Sequence, residues 1–270
     1  MWDDTETDPK YNLIMENNSP SDLSDRPTDR LRLILGEEAL ARLQNSRVMV
    51  LGLGGVGSSC AEALARGGIG ALTLVDRDVV VPSNINRQAL AFHSTLGQAK
   101  TYVMRYMVSD INPQCKISTL QAFIDKDTVP DQLGSLPRPD FVVDAIDTVS
   151  QKLAIAAWCQ SENIPEVAAM GGANKFDPTR LRFADIFETD TDPLARIIRK
   201  ECRKRGIQGF PVLYSDELPR EAEGKRGAID EKGFVLEGAS ILGTMSYYPP
   251  IMGQMLAGYV ICKLAGLEWL

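Results

Sequence analysis

The chain has 270 residues, 44% hydrophobic and 24% charged, with a formal net charge of −7 at pH 7. That length supports one sizeable α/β core or a core with a smaller lobe, and the composition is that of an ordinary globular protein. The acidic balance argues against broad affinity for nucleic acid or anionic membrane, while leaving room for a local basic patch. Five cysteines, Cys60, Cys115, Cys159, Cys202 and Cys262, include no CxxC pair. A tetrathiolate zinc site is therefore not expected, and buried thiols in a reducing compartment are.

In chain order, the first 25 residues carry seven acidic residues against one lysine. They lack the basic start and apolar run of a signal peptide, so residues 1–27 read as a disordered acidic tail. TDRLRLILGEEALARLQ, from Thr28, has helical spacing of Leu33, Leu40 and Leu43, with Gly36 separating two short helices. RVMVLG reads as a buried strand and SSCAEALARGG as a helix with Ala61, Leu64 and Ala65 on one face, ended by Gly67 and Gly68. ALTLVD is the next strand, GQAKTYVMRYMVSDINP a helix stopped at Asn112-Pro113, and CKISTLQAFI a strand. FVVDAID, from Phe141, is nearly all apolar, as a strand covered on both faces should be. QKLAIAAWCQSEN is a helix and PEVAAMGG a strand. Strands alternating with helices give right-handed βαβ units and a parallel sheet.

After Gly172 the pattern changes. TRLRFADIFE alternates like an exposed strand, DPLARIIRKECRKRG is a strongly basic helix, and residues 219–237 are polar and loop-like. The last segment, PPIMGQMLAGYVICKLAG, has helical spacing of Met252, Met255, Tyr259 and Cys262; Pro249 and Pro250 break the richest apolar run. No stretch approaches the ~20 apolar residues of a membrane span. No membrane partner is expected, and the location is cytoplasmic by default. The expected architecture is α/β: a Rossmann-like, doubly wound, mainly parallel sheet with helices on both faces. Residues 28–172 form the nucleotide-binding core, and residues 173–270 a smaller C-terminal extension with the basic helix and a closing helix.

Gly52, Gly54 and Gly57 form G-x-G-x-x-G between a strand and a helix, with Gly55 inside the same loop. Glycines let the backbone turn sharply and approach phosphate, and a helix N-terminus offers free N–H groups and a positive dipole end. Asp76 lies 19 residues past Gly57 at a strand tip, where a carboxylate accepts hydrogen bonds from ribose hydroxyls. The loop alone suits NAD as well as ATP. Residues downstream of Asp76 favour a triphosphate that is cut: Asn84, Asn86, Arg87 and Gln88 in SNINRQ, then Lys100 at a helix start. Cations there can neutralise a departing pyrophosphate. Asp147, closing FVVDAID at the carboxyl edge of the sheet, suits Mg²⁺ coordinated by substrate phosphates. His93, the only histidine, receives no role.

GLGGVGS, LVDRDVVVPSNINRQ, GQAK and DAID, in this order, resemble the ubiquitin-activating-enzyme superfamily and its bacterial relatives in thiamin and molybdopterin biosynthesis. Those enzymes adenylate a carboxylate with ATP. The resemblance implies that Asp76 holds the ribose, that Asn84, Arg87, Gln88 and Lys100 contact phosphates, and that Asp147 is the magnesium-linked catalytic aspartate. It also matches Arg30 to an arginine that reaches into a neighbouring subunit's site. From Arg30 onward, EALARGGIGALTLVDRD, DAIDTVSQKLAI, GGANKFDPTRLRFADI, DPLARIIRKECRKRGI and YSDELP resemble the tRNA threonylcarbamoyladenosine dehydratases more narrowly. That implies ATP-driven activation of a carboxylate on a tRNA adenosine, ring closure with net loss of water, a homodimer, and an associated Na⁺ or K⁺.

Arg196, Arg199, Lys200, Arg203, Lys204 and Arg205, against Glu201, make a cluster able to hold RNA phosphates, with Arg180 and Arg182 as an extension. No aromatic stacking platform is evident from the sequence. A sulfur-relay protein is a further partner in this family's surroundings, but FVLEGASILGTMSYYPP lacks the late cysteines some relatives carry. Cys202 sits among basic residues that could lower its pKa. Two other readings stay open: an activator of a ubiquitin-like sulfur carrier protein, and a nucleotide-binding redox or regulatory protein that adenylates nothing.

Overall fold

The computed structural model describes residues 26–124, 126–221, 228–229, 235–236 and 242–268. The acidic segment 1–25 and most of the polar stretch 219–237 lie outside the described residues. Helix α1 (Asp29–Asn45) leads into β1 (Arg47–Leu51), α2 (Gly55–Arg66), β2 (Ala71–Val75), α3 (Lys100–Ile111) and β3 (Lys116–Leu120). Then come α4 (Val129–Gly134), β4 (Phe141–Asp144), α5 (Val149–Ser161), β5 (Glu166–Ala169), β6 (Leu181–Asp185), α6 (Pro193–Arg205), β7 (Pro211–Ser215) and α7 (Tyr248–Ala265). Two short strands, Ala228–Ile229 and Val235–Leu236, pair as a separate antiparallel ribbon.

The main sheet runs β3-β2-β1-β4-β5-β7-β6, parallel throughout except for β6, which pairs antiparallel with β7. From β1 the chain winds outward to β3 and then restarts at β4 on the other side. The crevice between the carboxyl ends of β1 and β4 is thus the topological switch point, where open α/β sheets bind ligands. Alternation along the central strands explains the two helical layers. Val48 and Val50 join a core with α1, α2, α3 and α7, while Met49 and Leu51 join α4 and α5 on the other face. Each such aliphatic side chain contributes about 1.5–3 kcal/mol when fully buried. Residues beyond Gly172 share this frame: β6 and β7 extend the same sheet, and α7 lies along α2 through Tyr248, Met252, Leu256 and Val260.

Three local expectations are corrected. Gly36 does break α1 (φ +78, ψ 169), and in the first half it is Leu35 that packs against the core, leaving Leu33 88% exposed while Leu40 and Leu43 are buried. Strand β4 ends at Asp144 rather than Asp147. Along α7 the fully buried face is Met252, Leu256 and Val260, with Met255, Tyr259 and Cys262 half-buried at its margin; Tyr259 stacks on Phe183 at 4.8 Å.

Candidate active site

The glycine loop leaves β1 at the switch point. Gly52 has φ +83, a left-handed conformation that favours glycine, and its N–H donates to the Val75 carbonyl at 2.8 Å. At Gly57 a Cβ would lie 1.7 Å from the Gly52 carbonyl oxygen, so only glycine lets α2 start this close to the strand. Gly54 is the N-cap of α2 and offers no side-chain cap, leaving the helix's first N–H groups to a ligand. Gly55 is the first residue of α2, with Pro249 of α7 directly against it. Asp76, half-buried at the tip of β2, accepts the Leu53 N–H at 2.5 Å and the Asp78 N–H at 2.8 Å. It thereby fixes the loop to the next strand and keeps lone pairs for ribose hydroxyls.

SNINRQ packs over this loop. Asn84 is buried and its Oδ1 accepts the Val81 N–H. Gln88 is buried, its Oε1 has no hydrogen-bond partner, and its amide nitrogen lies beside Gly54. Arg87 is half-buried and its Cγ lies against Gly55. Its Nη1 donates to the Ser83 carbonyl at 2.9 Å and Asn86 Oδ1 at 2.8 Å, and it has no carboxylate partner among the described residues. Burial lowers its pKa from the usual arginine value. A desolvated, unneutralised guanidinium beside a glycine loop is arranged to meet an anion. Exposed Asn86 also donates from Nδ2 to the Thr244 carbonyl at 3.1 Å, joining this wall to the segment before α7.

Lys100 is not on an open helix surface. It is 5% exposed at the start of α3, and its Nζ pairs with Asp78 Oδ2 at 3.1 Å. Asp147 lies past the end of β4, exposed, and among the described residues accepts only from Thr148 Oγ1 at 3.4 Å. Its turn is built by a residue whose role the sequence pattern does not reveal. Asp144, fully buried, accepts the Ile146 N–H at 3.0 Å and pairs with Lys152 of α5 at 3.0 Å; Lys152 Nζ also donates to the Asp144 carbonyl. Burial pushes the Asp144 carboxyl up, and Lys152 pulls it back. On the adjacent strand, Glu166 is buried with no hydrogen-bond partner on either oxygen, and burial, with nearby Asp144, pushes it up to about 8. The sequence does contain hints: a lysine on the apolar run of α5, and a glutamate opening the apolar strand β5.

Arg30 is exposed on the first turn of α1. Its neighbours Thr28 and Leu31 lie beside Gly68, just past the end of α2, the far end of that helix from the glycine loop. It is not brought to its own chain's site.

The basic helix α6 is defined by its ends. Asp192 caps it by accepting the Ala195 N–H at 2.9 Å, Pro193 opens it, and Gly206 at φ +70 stops it. Ala195, Ile198 and Cys202 face the core. Of the six cations, three have local duties. Arg199 donates to the Thr189 carbonyl and hydroxyl, Arg203 lies 5.3 Å over the Phe187 ring, and Arg205 pairs with Glu201 at 3.2 Å. Arg196, Lys200 and Lys204 have no acidic partner among the described residues, so the free patch is half the expected size. Arg180 and Arg182 both pair with Asp216 rather than extending it. Cys202 is buried, and burial raises its thiol to about 11 despite Arg205 nearby. Cys60, Cys115 and Cys159 are also buried with raised pKa values. None of these thiols is suited to carry a persulfide. Among the described residues no helix is long and apolar enough to cross a membrane.

The ThiF family matches residues 27–267. The tRNA threonylcarbamoyladenosine dehydratase of Bacillus subtilis is 41% identical over 239 residues, 87% of this chain and 93% of that protein. Its Escherichia coli counterpart is 39% identical over 68% of this chain and 71% of that protein. The crystal structure of E. coli tRNA N6-threonylcarbamoyladenosine dehydratase in complex with ATP superposes with a TM-score of 0.75 at 31% identity, covering 87% of this chain and 92% of that one. With its glycine loop at the switch point and this likeness running nearly end to end, the chain belongs to the ThiF family.

Proposed function

We propose that this chain is an ATP-dependent tRNA threonylcarbamoyladenosine dehydratase. The carboxylate of the threonylcarbamoyl group attacks the α-phosphorus of ATP, and pyrophosphate leaves. A nucleophile of the same group then attacks the activated carbonyl, AMP departs with the former carboxylate oxygen, and a ring closes. The net change in the tRNA is loss of one water. The observation that carries this reading is Arg87, an unneutralised guanidinium held against the glycine loop. The pyrophosphate of a bound dinucleotide also attracts such a group, but it gains no charge during reaction; a pyrophosphate that leaves does, and there an unneutralised arginine stabilises it.

The roles in this reading are assigned by placement. Gly52 turns the loop through its left-handed backbone, the amides at Gly54, Gly55 and Gly57 at the α2 N-terminus receive the phosphates, Asp76 takes the ribose, and Asn84, Asn86 and Gln88 line the phosphate path. Lys100 reaches a phosphate by exchanging Asp78 for it. Asp147 fits Mg²⁺, because it is an exposed carboxylate outside any ion pair among the described residues, and this ion binds through one or two carboxylates plus substrate phosphates. When bound, Mg²⁺ neutralises charge on the triphosphate. Na⁺ or K⁺ belongs to the reading only as a structural ion, and no step depends on it. Arg196, Lys200 and Lys204 take RNA phosphates. Arg30 acts in a homodimer: the exposed Leu33 and Ile34 beside it on α1 suit coverage by a second copy, which would carry Arg30 to that copy's site. A cytoplasmic enzyme acting on the tRNA pool is the consistent setting.

The test is product accounting. AMP and pyrophosphate should form in equal amounts with tRNA carrying threonylcarbamoyladenosine, and not with tRNA lacking the modification. Turnover that ignores tRNA but requires a carrier protein with a diglycine end would replace this reading with carrier activation.

A further inference from the structure

The loop after β5 is held at almost every polar group, yet it leaves an aromatic ring outside. Lys175, 1% exposed, donates to the carbonyls of Gly171 at 2.9 Å and Ser215 at 3.3 Å and pairs with Asp192 at 2.6 Å. The next two N–H groups, of Phe176 and Asp177, both donate to the buried Glu217 carboxylate at 3.0 and 2.9 Å. Asn174 exchanges hydrogen bonds with Gly243 and accepts the Arg220 N–H at 2.8 Å. The Tyr247 hydroxyl donates to the Phe176 carbonyl at 2.8 Å. Phe176 nevertheless stays 40% exposed and Tyr247 38%, with the Arg220 guanidinium 4.6 Å above the Phe176 ring.

This assembly borders the ATP loop. Thr244, three residues before Tyr247, accepts from Asn86, and Pro249, two residues after it, packs against Gly55. Gly172, at the start of the anchored loop, lies against Tyr248 and Met252.

We infer that Phe176, Tyr247 and Arg220 form a stacking platform for an unpaired RNA base beside the ATP-binding loop. The inference rests on the proposed action on tRNA and deepens it by naming where an unpaired base next to the modified adenosine sits. Proteins take unpaired RNA bases on aromatic rings and arginine planes. A ring carried on a loop this firmly fixed loses little freedom when a base lands on it. Arg220 adds positive charge where the neighbouring phosphate must pass.

The experiment uses the full-length protein and a tRNA stem-loop carrying threonylcarbamoyladenosine, with 2-aminopurine as the adjacent base. Fluorescence quenching on binding reads stacking without turnover; steady-state dehydration reads KM for RNA, and calorimetry reads ATP affinity. Phe176→Leu should abolish most of the quench and raise the RNA KM about ten-fold, within the range for one stacked base, with ATP affinity unchanged. Phe176→Tyr should behave as wild type, and Arg220→Gln should fall between. Equal quench and KM for wild type and Phe176→Leu would overturn the platform. Because the quench needs no turnover, a wild type that quenches but dehydrates nothing would contradict the proposed reaction and leave the platform standing.

Discussion

The two walls of the crevice at the carboxyl edge handle charge in opposite ways. On the wall of residues 52–100, Arg87 has no carboxylate partner among the described residues and the α2 N-terminus has no side-chain cap. On the wall of residues 171–177, Lys175 is completely buried and matched by Asp192 and two carbonyls, and Glu217 receives two backbone amides. The first wall is prepared to take negative charge from a ligand. The second has satisfied itself and offers shape. An unpaired arginine and a paired lysine, both partly or wholly removed from water, thus have different tasks, and the same kind of substitution should expose the difference.

The largest effect on stability is expected where charge is fully paired. Lys175→Met leaves Asp192 buried without its partner, so it should cost about 3–5 kcal/mol of unfolding free energy, measurable by denaturant titration. On the opposite wall, Arg87→Ala should lower kcat/KM about 10²–10³-fold with little change in unfolding midpoint, because its work lies with the departing pyrophosphate. If Arg87→Ala unfolded the protein while Lys175→Met spared it, the contrast between the walls would be wrong.

A milder effect is expected on α6. Lys200→Glu with Lys204→Glu should weaken tRNA binding, reduce its salt slope by about two and leave ATP affinity unchanged; binding curves at several salt concentrations decide this. Reversal of Arg199, which is tied to Thr189, should instead disturb the start of α6. The last effect is a pH dependence and concerns Glu166. Its carboxyl is held near 8 in the folded chain and at about 4.3 when unfolded, so the folded state binds the extra proton between those values. Stability from this group is therefore present at low pH and lost progressively as pH rises to about 8, with no further change above. Glu166→Gln should narrow the difference in Tm between about pH 5 and pH 8.

The glycine loop, its aspartate and the succession of strands and helices along the chain were legible because they depend on local rules: a 3.6-residue or two-residue period, and glycine where no side chain fits. The break of α1 at Gly36 was legible for the same reason, but its effect on Leu33 was not, since a change of helix phase matters only once a core exists to pack against. Lys152 and Lys175 were illegible as buried pairs because their partners, Asp144 and Asp192, come from other elements. The reduction of the α6 patch has the same cause: Thr189 and Phe187 occupy Arg199 and Arg203 only after folding. Phe176 and Tyr247 lie 71 positions apart, which hides an exposed aromatic pair from any reading of spacing.

The measurement that bears most directly on the central claim is the mass of the modified nucleoside. Purified protein is incubated with tRNA carrying threonylcarbamoyladenosine and Mg²⁺, with and without ATP, and the tRNA is digested under mild conditions for mass spectrometry. An ATP-dependent loss of one water, absent in Arg87→Ala, is the expected result. An unchanged nucleoside from protein that demonstrably binds ATP would contradict the account.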